Sequence, residues 1–478
     1  MRFIDNKIGI FSLHIYFYII QYIYVWRSTM ISLKTDLLKG SILKSLLIFA
    51  IPILISNIFQ QLYNTMDTMI VGNYLGDVSL AAIGACTAVY DLLVGFALGI
   101  GNGLSIVTAR SYGSKDEDLL KKSVAGSIVI GICITVLIMI ISYLFLFPLL
   151  KFLNTPSEII YESYSYISTL TMCVGVMFAY NLAAGLLRAI GNSIMPLIFL
   201  ILSSVINIIL DILFITQFNM GIFGAAVATV LSQGISAILC VIYIYKKNPI
   251  LIPSKRHFVF DKELYQELLG QGLSMGFMLS IVSAGTVILQ TAINGLGYLI
   301  IAGHTAARKL FSFCMMPVAT ISLSLSTFVS QNKGADQGDR IIKAVRYGNL
   351  LSLLWCIIIS VILFFGAESM VRILSGSNES IVIENGAKYL MINAPFFCVL
   401  GVLLNLRNAL QGIGKKVVPL VSSIIELSGK IIFVIIFIPS LKYFGVIICE
   451  PVIWCCMCLQ LVFAFYRNPY IVKFKKNN

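Results

Sequence analysis

Charge is what this sequence has least of. Only 12% of its 478 residues are Asp, Glu, Lys or Arg, against roughly 25% in a soluble domain. A water-soluble protein of this length needs a charged surface, and this chain cannot supply one. Histidine is scarcer still, at His14, His257 and His304, and no HExxH pair occurs. That excludes a zinc hydrolase of that kind. A GxxxxGK[ST] phosphate loop is also missing. Gly412-Ile413-Gly414-Lys415-Lys416 lacks the first glycine and the Ser/Thr, and no polar stretch is long enough to fold as an ATPase. No cofactor motif is present, so energy for any vectorial work has to come from an ion gradient, H⁺ or Na⁺. The eleven cysteines are scattered through apolar runs, where Cys behaves as a small hydrophobe rather than a disulfide partner. Cys455, Cys456 and Cys458 cluster, but without a second pair at metal-site spacing.

What is abundant is apolar surface: 59% hydrophobic residues and a mean hydropathy of +0.94. A spanning helix needs about 20 mostly apolar residues. That window predicts an all-α polytopic membrane protein with twelve spans. The first six lie near 45–70, 79–105, 124–148, 160–183, 194–216 and 222–245. The second six lie near 268–292, 299–327, 348–367, 388–409, 419–439 and 443–466. The expected organisation is a six-helix bundle over 30–246, a linker over 247–267, a second six-helix bundle over 268–466 and a basic tail over 467–478. Ahead of these, Ile8–Val25 is apolar and aromatic, between Arg2, Lys7 and Arg27. Residues 1–29 read as an over-extended start before Met30, with a thirteenth span or an uncleaved signal-like segment as alternatives.

The formal net charge is +13. In a soluble protein that balance points to nucleic acid. Here most Lys and Arg fall on alternate loops. Lys115, Lys121 and Lys122, the Lys246–Lys262 stretch, Lys333–Arg346, Lys415, Lys416 and the tail share one side. The other side receives Lys151, Arg372, Lys388 and Lys442. The positive-inside rule therefore predicts a multi-pass plasma-membrane protein with both ends of the twelve-span core cytoplasmic, a lipid bilayer as partner and no nucleic acid. A monomer is expected.

The two halves repeat at an offset of about 220 residues. Leu187-Arg-Ala-Ile-Gly-Asn-Ser-Ile-Met-Pro196 aligns without gaps to Leu410-Gln-Gly-Ile-Gly-Lys-Lys-Val-Val-Pro419. Ser105–Val124 aligns to Ser326–Val345, and Phe223-Gly224 to Phe444-Gly445. With six spans each, the halves share one orientation and are related by a pseudo-two-fold axis along the membrane normal. That is the plan of a secondary transporter that handles substrate between its halves.

Ionisable groups inside spans are costly and mark functional sites. Five acids qualify: Asp67, Asp91, Asp211, Glu426 and Glu450. Asn57, Gln60, Asn64 and Asp67 are spaced to share one face of span 1, a face that cannot lie against lipid. Pro52, fifteen residues before Asp67, removes a backbone donor and permits a bend. Asn207 and Asp211 share a face of span 5. Asp67 and Asp211 sit about five residues from the same end of parallel spans, hence at similar depth. Two carboxylates at one depth, with amide neighbours, suit a proton or Na⁺ better than two bare charges. The other reading is a hydrogen-bonded pair that only locks helix packing. Asp91 either lines a cavity or bonds to a neighbouring span. Glu426 has Lys430 at i+4, an intrahelical ion pair. Glu450, before Pro451, is as consistent with structure as with function. Arg308 and Lys309 are the other charged pair at depth, and His304 one turn earlier reads as a packing residue.

Pro52 with Gln61-Leu-Tyr-Asn-Thr-Met-Asp67, Val71-Gly72, Leu75-Gly76, Leu80-Ala-Ala-Ile-Gly84, Asn207 with Asp211, Gln331-Asn332-Lys-Gly-Ala335, Gly412 with Gly414, and Glu426 with Glu450-Pro451 carry a resemblance. In order and spacing, over residues 38–468, the chain resembles the multidrug and toxic compound extrusion (MATE) family, in its DinF-like branch. The resemblance implies a V-shaped pair of six-helix bundles exporting small organic, often cationic, molecules in exchange for H⁺ or Na⁺. It implies a first-bundle cation site at Asp67 and Asp211, with Asn207, Tyr166 and Thr229 as polar neighbours. Asn57, Gln60, Gln61, Asn64, Asp91 and Arg308 become candidates to line the cavity. A carboxylate found in span 7 of another branch has no counterpart in Ser274–Thr291, and Lys430 stands where an Arg is more usual. Two rivals remain. A flippase for a lipid-linked oligosaccharide needs a more cationic cavity. A membrane-embedded enzyme finds no GxGD, HExxH or other catalytic set in the spans.

Overall fold

Among the described residues, twelve helical spans arise, counting one bent helix pair as a single span, because each apolar run must satisfy its own backbone groups where no water is available, and only a helix does so within one segment. The computed structural model describes residues 34–153 and 155–475; the apolar stretch at Ile8–Val25 lies outside them. In the first bundle, span 1 is Ile42–Leu75, span 2 Asp77–Gly113 and span 3 Glu117–Phe152. Span 4 is two helices, Ile160–Met172 and Val174–Ala189, bent by 47° at their junction. Span 5 is Ile194–Ile212 continued by a π turn, Leu213–Gln217, and span 6 is Gly221–Lys247.

The second bundle repeats this. Spans 7, 8 and 9 are Lys262–Asn294, Tyr298–Gly334 and Gly338–Ser375. Span 10 is Ser380–Asn393 and Phe397–Ile413, joined by the 3₁₀ turn Ala394–Phe396. Span 11 is Val417–Ile432 with its own π turn, Phe433–Phe437, then Ile438–Leu441. Span 12 is Tyr443–Tyr466, and a short helix, Pro469–Lys475, follows. The repeat is thus structural down to irregularities: spans 4 and 10 break, and spans 5 and 11 end in π turns.

Most helices overrun the apolar windows, chiefly at the end carrying the basic loops. Span 7 shows why. It begins at Lys262, not near 268, because the Asp261 side chain accepts from the Glu263 and Leu264 amides and caps it. A hydropathy window misses the polar first turns. Asp116 caps span 3 in the same way, accepting from the Leu119 amide. Span 1 runs unbroken through Pro52, where the Ser56 hydroxyl donates to the Pro52 carbonyl at 2.8 Å.

Each bundle has its own buried core, one centred on spans 2 to 6 and one on spans 8 to 12. The bundles meet along spans 2 and 7 and along spans 1 and 8. Span 2 presents Gly99 and Gly103 to Gly276 and Gly272 of span 7, so the backbones pack directly. At the basic end, a Cβ on Gly113 would strike the Gln331 carbonyl, and a Cβ on Gly334 would strike the Arg110 carbonyl. These four residues are exchanged by the internal repeat, so the contact is nearly self-complementary. The Gln331 amide also donates to the Ala189 carbonyl at 2.7 Å, and Arg110 pairs with Glu267. Toward mid-span come Phe96 against Phe277 at 5.3 Å and Ser280 donating to the Leu92 carbonyl at 3.4 Å.

Candidate cation and cleft site

Beside span 1's crossing with span 8, the Asn57 amide donates to the Thr320 hydroxyl at 3.0 Å. Gln60 and Asn64 continue the face that meets the second bundle there, and Asn64, like Gln61, is exposed. The uncharged polar stripe therefore runs out of the contact onto exposed surface. Asp91 is exposed on span 2, one residue before the Leu92 contact with Ser280. Asp67 ends the stripe but turns into the first bundle, where it is buried.

There it meets span 5. The Asp67 and Asp211 carboxyl groups are close enough to interact directly. Asp211 and Asn207 are fully buried, and the Asn207 amide reaches the Asp211 carboxylate at 3.5 Å. The Tyr63 hydroxyl bonds the Thr229 hydroxyl at 3.2 Å, joining span 1 to span 6. Tyr166 of span 4 is buried beside them. The structure thus brings together Asp67, Asp211, Asn207, Tyr166 and Thr229, and adds Tyr63. Tyr63 had a sequence signal: it lies four residues before Asp67, one turn down the same face. The π turn starting at Leu213 begins two residues after Asp211, and such turns concentrate at functional sites.

Three oxygens in this cluster have no hydrogen-bond partner: one each on Asp67, Asp211 and Asn207. Neither carboxylate forms an ion pair among the described residues. Buried polar atoms are nearly always satisfied. An all-oxygen set holding two acids and no resident base fits a hard monovalent cation or a shared proton.

The acids of the second bundle are arranged differently. Arg308 pairs with Glu450 at 2.6 Å, and Tyr389 bonds the same carboxylate oxygen at 2.8 Å while accepting from Arg308 at 3.1 Å. Lys430 pairs with Glu426 at 2.9 Å, the i, i+4 bridge expected from sequence, and reaches the other Glu450 oxygen at 4.0 Å. His304 is buried, edge-on to the Tyr389 ring at 5.0 Å and bonded to the Tyr443 hydroxyl at 3.2 Å. Arg308 is half-buried and engaged with its own bundle rather than free in the cleft.

The model of the MatE family matches residues 52–213 and 275–436, one copy in each bundle. The chain belongs to the MatE family. Among curated relatives, the "Probable multidrug resistance protein YoeA" of Bacillus subtilis is 27% identical over 439 residues, covering 90% of this chain and 94% of that protein. The "Multidrug export protein MepA" of Staphylococcus saprophyticus is 23% identical over 406 residues, covering 84% and 88%. Among solved structures, the fold matches "Outward-facing conformation of a multidrug resistance MATE family transporter of the MOP superfamily" with a TM-score of 0.83 at 21% identity, over 92% of this chain and 98% of that one. "Crystal structure of MATE in the bent conformation" also scores 0.83 at 21% identity, over 92% and 98%. As a MatE chain with two repeat-related bundles, this protein is a membrane transporter and not an enzyme.

Proposed function

We propose that this MatE transporter exports small organic cations, drugs or other toxic compounds, in exchange for H⁺ or Na⁺. The relatives named as multidrug proteins support the substrate class. The cleft face of span 1 supports it too: amides and nearby acid suit a cationic guest better than an anionic lipid-linked sugar. The observation that carries the coupling is the buried Asp67–Asp211 pair, each acid with one unsatisfied oxygen and Asn207 adding a third, with no base. A cation or proton entering it neutralises charge that the bilayer interior penalises. Spans 1, 4, 5 and 6 then draw onto a common ligand. Because span 1 also lines the cleft, ion occupancy changes the face presented to substrate, and Pro52 lets that helix bend. The distribution of basic loops supports a plasma-membrane protein with both ends of the core on the cytoplasmic side.

Asp67→Asn removes the charge at nearly constant shape. In proteoliposomes under an imposed pH or Na⁺ gradient, the variant inserts normally but its gradient-driven ethidium efflux falls to the protein-free level. Efflux at the wild-type rate sinks the coupling role. Running the two gradients separately on the native protein identifies the ion.

A further inference from the structure

The two bundles answer the same position with opposite chemistry. The family-model matches start at 52 and 275, a spacing of 223 residues. At that spacing Tyr166 falls on Tyr389 and Asn207 on Lys430, while Asp211 falls on Val434 and Asp67 on Gln290. After the π turns the spacing is that of Phe223-Gly224 to Phe444-Gly445, and Thr229 falls on Glu450. Three members of the first-bundle cluster thus have their repeat partners inside the second-bundle cluster. Both acids are lost at their own positions. An acid appears where the first bundle has Thr229, and an ammonium where it has Asn207.

We propose that the second bundle carries a tethered cation, the Lys430 ammonium seconded by Arg308, at the locus where the first bundle takes an exchangeable one, so that all coupling ions pass through the first bundle. The proposal rests on the reading that Asp67 and Asp211 bind the coupling ion. Four features carry it. Lys430 is 2% exposed, and its stem lies over Gly285 of span 7, where a Cβ would come within 2.9 Å of it, so the ammonium is built in. It lies between the Glu426 and Glu450 carboxylates, as an ion would. Arg308 and Tyr389 complete the Glu450 shell. Lastly, both carboxylates of this cluster are ion-paired, in contrast to Asp67 and Asp211.

The test is the ethidium ratio sustained at equilibrium by a tenfold ion gradient across proteoliposomes clamped at zero membrane potential. Each coupled ion multiplies that ratio by ten. The charge-balanced variant Arg308→Gln/Glu450→Gln keeps the Lys430–Glu426 pair and sustains the wild-type ratio. Lys430→Arg, which retains the tethered charge and disturbs folding less, does the same. Lys430→Asn gives the second bundle the residue of its repeat partner and frees an acid, and the ratio rises about tenfold. A tenfold drop in either of the first two variants, or an unchanged ratio in a Lys430→Asn protein with wild-type thermal stability, overturns the proposal. Failure of the underlying reading looks different: Asp67→Asn then sustains a gradient while the second-bundle variants behave as above.

Discussion

The first bundle keeps two buried acids without a base, and the second keeps two acids bound to two bases. Both clusters draw on the fourth, fifth and sixth spans of their bundles, share a tyrosine at equivalent positions, and lie next to a π turn; the first adds its bundle's first span and the second its bundle's second. The internal repeat gives them one scaffold, so the scaffold does not explain the difference. Charge balance does. A buried acid with its counter-ion built in is finished structure. A buried acid without one has free energy to gain from whatever cation arrives, and that gain depends on the conformation that opens its path. Stability and coupling are thus divided between halves of one fold.

The sharpest way to break this contrast is to delete an acid from each side. Removing one partner of a buried ion pair leaves the other charge unpaired, at a cost of about 3–5 kcal/mol. Glu450→Ala strands Arg308 and weakens the hold on Lys430. Its thermal midpoint in detergent drops accordingly, and Glu450→Met/Arg308→Met recovers most of the loss. Asp67→Ala strands no base and relieves repulsion from Asp211, so its midpoint is unchanged or higher even though coupled efflux is gone. Equal destabilisation by the two alanine variants would erase the distinction.

Where the bundles are alike, the repeat predicts equal effects. Gly113 lies against the Gln331 backbone and Gly334 against the Arg110 backbone, by the same local symmetry. Adding a side chain at either forces spans 2 and 8 apart at the basic end, an overpacking of about 1–3 kcal/mol. Gly113→Val and Gly334→Val each shift the protein toward the state open at that end. Spin-label distances between the bundles lengthen there, and efflux falls about tenfold in both. A large effect from one and none from the other would show that the closed contact is less symmetric than its backbone.

Much of this was legible in the sequence. The apolar runs of about 20 residues point to twelve spans, because only a helix satisfies its backbone in lipid within one segment. Spacing alone places Asn57, Gln60 and Asn64 on one face, and Glu426 beside Lys430. Asp67 and Asp211 at equal depth could be read from length along parallel helices. Which helices touch could not: the bonds Arg308–Glu450, Tyr63–Thr229 and Asn57–Thr320 each join residues more than a hundred positions apart. Arg308 therefore read as a cleft residue although it faces its own bundle's acid. The helix starts at Lys262 and Glu117 escaped hydropathy because polar caps set them. The exchange of Thr229 for Glu450 and Asn207 for Lys430 was written in the repeat, but it takes on meaning only when the side chains are seen to converge.

The smallest effect tests whether span 1 links the ion site to the cleft. The Asn57–Thr320 hydrogen bond joins the bundles ten residues before Asp67, nearly three turns away, on the polar face of the same helix. A neutral hydrogen bond contributes about 1 kcal/mol net, which is about fivefold in an equilibrium constant. Asn57→Ala should thus shift the population closed at the basic end by about fivefold, without touching ion affinity in the isolated first-bundle cluster. Thr320→Val should do the same, and the double variant should add nothing, since both remove one bond. The apparent affinity for the coupling ion then changes by the same factor in all three, because ion binding and closure share one equilibrium. An additive double variant would mean that the two side chains act on separate contacts. Span 1 would then not be the element through which the acid-rich bundle senses its charge-balanced partner.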